Sequence, residues 1–140
     1  MYAISDTFVL IAPDCATEHS IIPTTKPGAK PSVHTIQYDL LTEYPYRYSL
    51  EELIYQVHIR HKEIPADRLR DDAEGVRAEL FSKNHPCMRA SMLPKKYGWG
   101  VHYNHEGKLA LHAMESEEYS QFADGADGVQ LVYAMRTKRA

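Results

Sequence analysis

The stretch from Trp99 to Ala113 constrains the fold more than any other part of the chain. Trp99-Gly100-Val101-His102-Tyr103 and Lys108-Leu109-Ala110-Leu111-His112-Ala113 flank Asn104-His105-Glu106-Gly107. Two alternating runs around a short polar turn predict a β-hairpin, and Gly107 stands where a three-residue loop needs a left-handed residue. That turn pairs Asn104 with Lys108, which sets His102 opposite Ala110 and Gly100 opposite His112. Once the register is fixed, alternation assigns every side chain to a face. Trp99, Val101, Tyr103, Leu109, Leu111 and Ala113 form a face that must be buried. Gly98, Gly100, His102, Lys108, Ala110, His112 and Met114 form a small, polar one. The two glycines leave a depression there, with His102 and His112 diagonally across it. Such a face is solvated, or packed by a loop or partner subunit that the glycines admit. Otherwise it is a ligand floor whose imidazoles act as donors or general bases near neutral pH.

The rest of the chain reads around this hairpin. Thr7-Phe8-Val9-Leu10-Ile11-Ala12 is a short apolar run that predicts a buried strand. Residues 16–31, with Pro23, Pro27, Gly28, Pro31 and two lysines, predict a long flexible loop. Ser32 can cap a helix carrying Val33, Ile36, Leu40 and Leu41, which stops before Pro45. Ser49 and Glu52 have capping-box spacing ahead of Leu50, Leu53, Ile54 and Val57. Pro65 suits the first position of a third helix with the stripe Leu69, Ala73, Val76, Leu80 and Phe81. From Asn84 to Pro94 the periodicity disappears, which reads as a loop. Ser116 opens a short fourth helix, and Val129, Leu131, Tyr133 and Met135 alternate as a last strand. Arg136, Lys138 and Arg139 form a basic tail. The order predicts an α+β protein. Its mainly antiparallel sheet has about four strands, one N-terminal, two in the hairpin and one C-terminal, covered by three central helices plus a short fourth.

The 140 residues suit a single globular domain over 1–140. No run approaches the roughly 20 apolar residues of a membrane span. Met1 to Pro13 lacks a basic start and a small-residue cleavage site, so no secretory leader is expected. Cys15 and Cys87 make no disulfide framework, which fits a reducing cytoplasm. The net charge of −3 disfavours a nucleic-acid coat.

Against that acidic background, Leu80 to His105 contains no Asp or Glu. The chain has 19 acids in 140 residues, so a window of this length should hold three or four. It holds instead Lys83, Arg89, Lys95 and Lys96, with His85, His102 and His105. These cations either face solvent or pair with the acidic third helix, or they bind an anion such as a phosphate or carboxylate, with Arg89 able to do so bidentately. In the second reading Lys83, Arg89, Ser91 and Lys95 bind the ligand, Tyr97 and Trp99 form walls, and His112 contributes from the hairpin. Cys87 and His102 are then the catalytic candidates, since a thiol near cations favours its thiolate. A buried structural thiol is the competing reading of Cys87. The phosphatase arrangement, with Arg six positions after Cys, is disfavoured, since Leu93 stands there and Arg89 comes only two after.

Other chemistries find no support. His58 and His61 share a helix face, but neither has a Cys or carboxylate at metal-ligand spacing, so no metal and no cofactor is expected. Walker, dinucleotide-binding and nucleophile-elbow motifs are absent. Tyr44, Tyr46, Tyr48 and Tyr97 interleave with basic residues, but they read as rings packed at the helix–sheet boundary with hydroxyls reaching water.

Three stretches carry a family resemblance. They are Asp6-Thr7-Phe8, then Phe81-Ser82-Lys83 through Pro86-Cys87-Met88-Arg89-Ala90-Ser91 to Lys96-Tyr97-Gly98-Trp99-Gly100-Val101-His102, and Ala134-Met135-Arg136 to Lys138-Arg139-Ala140. Glu115-Ser116-Glu117-Glu118-Tyr119 fits between them. The chain resembles an uncharacterised family of small bacterial and fungal proteins, a domain of unknown function. That resemblance implies a single domain and transfers no activity. Two functions are therefore expected from the residues themselves. One is a small-molecule site for an anionic ligand, with or without catalysis. The other is a non-catalytic interaction or scaffold protein, such as a homodimer.

Overall fold

A computed structural model describes residues 3–137; Lys138 and Arg139 of the basic tail lie outside them. The hairpin forms in the expected register. β2 (Trp99–Tyr103) and β3 (Leu109–Ala113) pair antiparallel, with Gly100 opposite His112 and His102 opposite Ala110. Gly107 takes φ +80°, and Asn104 closes the turn by accepting the N–H groups of Glu106 and Lys108 on its side chain, each at 2.9 Å. β1 (Thr7–Leu10) lies antiparallel beside β2, with Phe8 opposite His102. β4 (Gln130–Tyr133) lies on the far side of β1 and runs parallel to it. The order is β3-β2-β1-β4. The sheet is thus mixed, where a mainly antiparallel one was expected. Alternation is the same for a parallel and an antiparallel neighbour, so β4's direction is not written in it, and its alternating Leu131, Tyr133 and Met135 are exposed.

The expected caps all form. Ser32 starts α1 (Val33–Glu43), Ser49 starts α2 (Leu50–His61) and Ser116 starts α5 (Glu117–Ala123), each accepting a backbone N–H from the first turn. α1 and α2 cover the apolar hairpin face. Leu40, Leu41, Leu50 and Leu53 meet Val9, Val101, Tyr103 and Leu109 in one core. α3 (Ala66–Phe81) departs from expectation, because its apolar side meets α2 and forms a second, smaller cluster of Tyr55, Val76 and Leu80. α3 is also broken at Asp72, whose carboxylate accepts the N–H of Gly75 at 3.2 Å and restarts the helix. A fifth helix, α4 (Met92–Lys96), and a 3-10 turn (Met88–Ala90) occupy the segment expected as a loop. Ser91 caps α4, but five residues are too few for a periodicity to show.

No described helix is long and apolar enough to cross a membrane. Part of the 16–31 loop is tied to β2. The N–H of Ile21 donates to the carbonyl of Tyr97, and the indole of Trp99 donates to the carbonyl of Ile21, both at 2.8 Å.

Candidate functional site

Two clusters of imidazoles occupy different parts of the molecule. The first lies on the polar hairpin face, under α5. Here the depression left by Gly100 is filled. A Cβ at that position would come within 2.5 Å of Phe8 Cζ and 2.7 Å of the Tyr119 ring. Gly98 is covered likewise by Met114 and Thr17. The face is therefore packed, and it does not form a ligand floor. His102 is buried, with its ring stacked on Phe122 at 4.0 Å. The hydroxyl of Tyr46 stands between the two histidines, 2.8 Å from Nδ1 of His102 and 3.0 Å from Nε2 of His112. It donates to one imidazole and accepts an N–H from the other.

Burial holds both imidazoles below the usual value of 6.5. At His102 the neighbouring His112 adds to this, opposed by Asp127 and Asp6, and at His112 Glu118 opposes it. Burial, helped by Asp127, pushes the Tyr46 phenol up. All three groups are thus neutral near pH 7, and each hydrogen bond has one donor and one acceptor. Tyr46 reaches this position with φ +59°, a left-handed conformation that costs a bulky residue about 1–2 kcal/mol. Its N–H also donates to the carbonyl of Leu109 at 2.8 Å, so backbone and side chain both bind the hairpin. Tyr46 had been expected to send its hydroxyl to water. Nothing in its spacing shows otherwise, since its orientation depends on that positive φ.

The second cluster lines a cleft on the helical side. One cavity of about 250 Å³ lies between α1, α2 and the segment after α3, bordered by His58, His61, Lys62 and His85 with Ile54, Val57 and Leu80. A second, of about 180 Å³, is bordered by His34, Cys87, Ser91 and Met92. Val33, Gln37 and Pro86 border both, so the two form one groove. Four imidazoles and a lysine line it, and no carboxylate does. Burial lowers His34 and His58, and at His58 the charges of Lys62 and His85 act in the same direction. Glu79, whose field opposes this at His58, is held by Arg68 at 2.6 Å. His85 contacts the carbonyl of Leu80 at 2.6 Å, which positions its ring at the end of α3.

The single pocket expected from the acid-free segment is not formed. Cys87 and Ser91 border the cleft, and Tyr97 is near it through its ring contact with His34. Ser91 already serves as a cap and donates to Gln37 at 2.7 Å. Lys95 borders a separate open cavity with Lys96 and Asp14. Arg89 is exposed, its Nε donating to the carbonyl of Tyr133 at 2.7 Å. Lys83 is exposed. Trp99 packs on Tyr38. His102 and His112 lie on the other face of the sheet. A helix, a turn and two strands divide the segment among several surfaces, which linear charge density cannot reveal. Sequence reasoning passed over His34, Lys62 and His85 as ligand groups. The signals were His85 in the acid-free segment and the three-residue spacing of His58 and His61, which was weighed for metal. Among the described residues, no group of three or more His, Cys, Asp or Glu is arranged to hold a metal ion.

These features define an α+β protein with a packed polar cluster on one side of a mixed sheet and an imidazole-lined cleft on the other. The chain belongs to the family described as "Family of unknown function (DUF6157)", whose model matches residues 2–140. No curated protein and no solved structure matches it.

Proposed function

We propose that the protein binds a small molecule bearing a carboxylate or phosphate on an apolar body, in the cleft between α1, α2 and the segment around Pro86. The observation that carries this reading is the composition of the lining. His34, His58, His61, Lys62 and His85 face the space with no acidic side chain among them, in a protein with more acids than bases. Ile54, Val57, Leu80 and Met92 supply the apolar wall expected of a small-molecule site. Lys62 gives a permanent charge. His34 and His58, held neutral by burial, gain theirs as the anion binds, so affinity should rise as pH falls below 6.5. Of the two catalytic candidates only Cys87 borders this cleft, and it would be the group to face a reactive ligand.

The test is a titration with a panel of aryl and branched-chain carboxylates and phosphate monoesters, read by histidine ring NMR signals at about pH 6 and about pH 8. Saturable shifts confined to the cleft histidines, stronger at the lower pH and reduced about tenfold in affinity by Lys62→Ala, support the proposal. Shifts absent throughout the panel, or centred on His102 and His112, would overturn it.

A further inference from the structure

The two edges of the sheet are finished differently. β3 is covered at its first residues, because the N–H of Tyr46 donates to Leu109 and that of Leu109 to Tyr48, and Ser49 bridges Lys108. β4 is not covered in this way. The N–H of Gln130 donates to Asp6 and that of Ala134 to Leu10, so the even-numbered residues turn their backbone groups toward β1 and the odd-numbered ones turn theirs outward. The C-terminal end of this outer side is occupied, since Arg89 Nε donates to Tyr133 and the N–H of Met135 donates to Arg89. The N–H and carbonyl of Leu131 and the N–H of Tyr133 have no partner among the described residues. The side chains of Leu131, Tyr133 and Met135 are exposed by 40, 56 and 52%. Gln130-Leu131-Val132-Tyr133 contains none of the charges, prolines or bulges that protect edges in monomeric proteins.

We propose that β4 is a self-association surface, along which two copies pair antiparallel with Leu131 opposite itself and join their sheets into one. In that register the N–H and carbonyl of Leu131 are exchanged between the copies, the N–H of Tyr133 faces the Val129 carbonyl of the other copy, and the exposed Leu131 side chains meet across the strands. The Tyr133 carbonyl stays with Arg89, which lies beyond the paired residues. Charge selects the direction. Asp124 and Asp127 lie in the turn before β4, and Arg89 and Arg136 lie at its other end, all exposed. An antiparallel copy brings each acidic turn beside the other copy's arginines, whereas a parallel one would stack like on like. One short strand buries less than the roughly 800 Å² per partner of a standard interface, so a weak, concentration-dependent dimer is expected.

The test is sedimentation equilibrium of the full chain between about 10 μM and about 500 μM. The wild type should dimerise. Leu131→Pro removes an outward N–H while leaving the ladder to β1 intact, and should be monomeric with an unchanged circular dichroism spectrum. Wild type that stays monomeric across the range, or Leu131→Pro that dimerises as wild type does, overturns the proposal. If Leu131→Pro loses its fold, Tyr133→Lys decides. It should weaken dimerisation at least about tenfold, and undiminished dimerisation would overturn the proposal.

Discussion

The two imidazole clusters show how one residue type serves different ends. His102 and His112 sit beneath α5 with their polar atoms satisfied by Tyr46 and their rings packed on Phe8 and Phe122. His58, His61 and His85 border an open cleft with no acid among its lining residues. The first pair has the depressed pKa values and the strained neighbour that mark many active sites. Yet the space such a site needs is taken by Phe8 and Tyr119. The second group, in which His58 is lowered too, has room for a ligand. Perturbed titration is therefore a poor guide here unless it is read together with the cavity.

That contrast can be broken by mutation. The largest effect is expected for His102→Ala, which removes a buried ring and leaves Tyr46 with one partner fewer. Unfolding in urea should show a loss of about 3 kcal/mol, while His61→Ala should stay within about 0.5 kcal/mol. Equal losses would mean that the cleft histidines are also structural. Gly100→Ala comes next. Its methyl group would overlap Phe8 and Tyr119, so about 2 kcal/mol should be lost, and a neutral outcome would mean that the depression is open after all. Tyr46→Phe keeps the ring and removes the bridging hydroxyl, with an expected cost of about 1–2 kcal/mol as buried His102 and half-buried His112 lose their partner.

The pH dependence sharpens the comparison. His102 and His112 are held below 6.5 when folded and return to about that value when unfolded. Between those values the unfolded chain binds more protons, so the stabilisation they give is present above 6.5 and is lost as pH falls through the folded-state values. His34 and His58 are depressed in the same direction, so the wild-type slope contains both clusters. Urea midpoints at about pH 7.5 and about pH 5 should lie closer together in both His112→Gln and His58→Gln than in the wild type. An unchanged separation in either variant would remove that histidine from the proton-linked stability.

Much of the local structure was legible because its causes are local. Ser32, Ser49 and Ser116 cap their helices by bonds to residues three positions on, and Gly107 closes its turn within four residues. The hairpin register follows from that turn, and it placed His102 and His112 diagonally on one face. What filled that face was not legible. Phe8 comes from a strand far away in sequence and Tyr119 from a short helix, and only their arrival shows why Gly100 has no side chain. The candidate site fared worse. Charge counted along Leu80 to His105 grouped Lys83, Arg89, Lys95 and His102, which the turn, α4 and β2 then separate. The cleft draws instead on α1, α2 and the end of α3.

The amino-acid order by itself determined the elements that begin and end within a few residues, and the α+β class that follows from them. Tertiary structure decided the parallel course of β4, the docking of α3 on α2, and which histidines are sealed and which line open space. Capping and alternation act between near neighbours and leave their mark in the order of residues. Strand neighbours and cavities arise where distant segments exclude water together, and no spacing along the chain records which segments will meet.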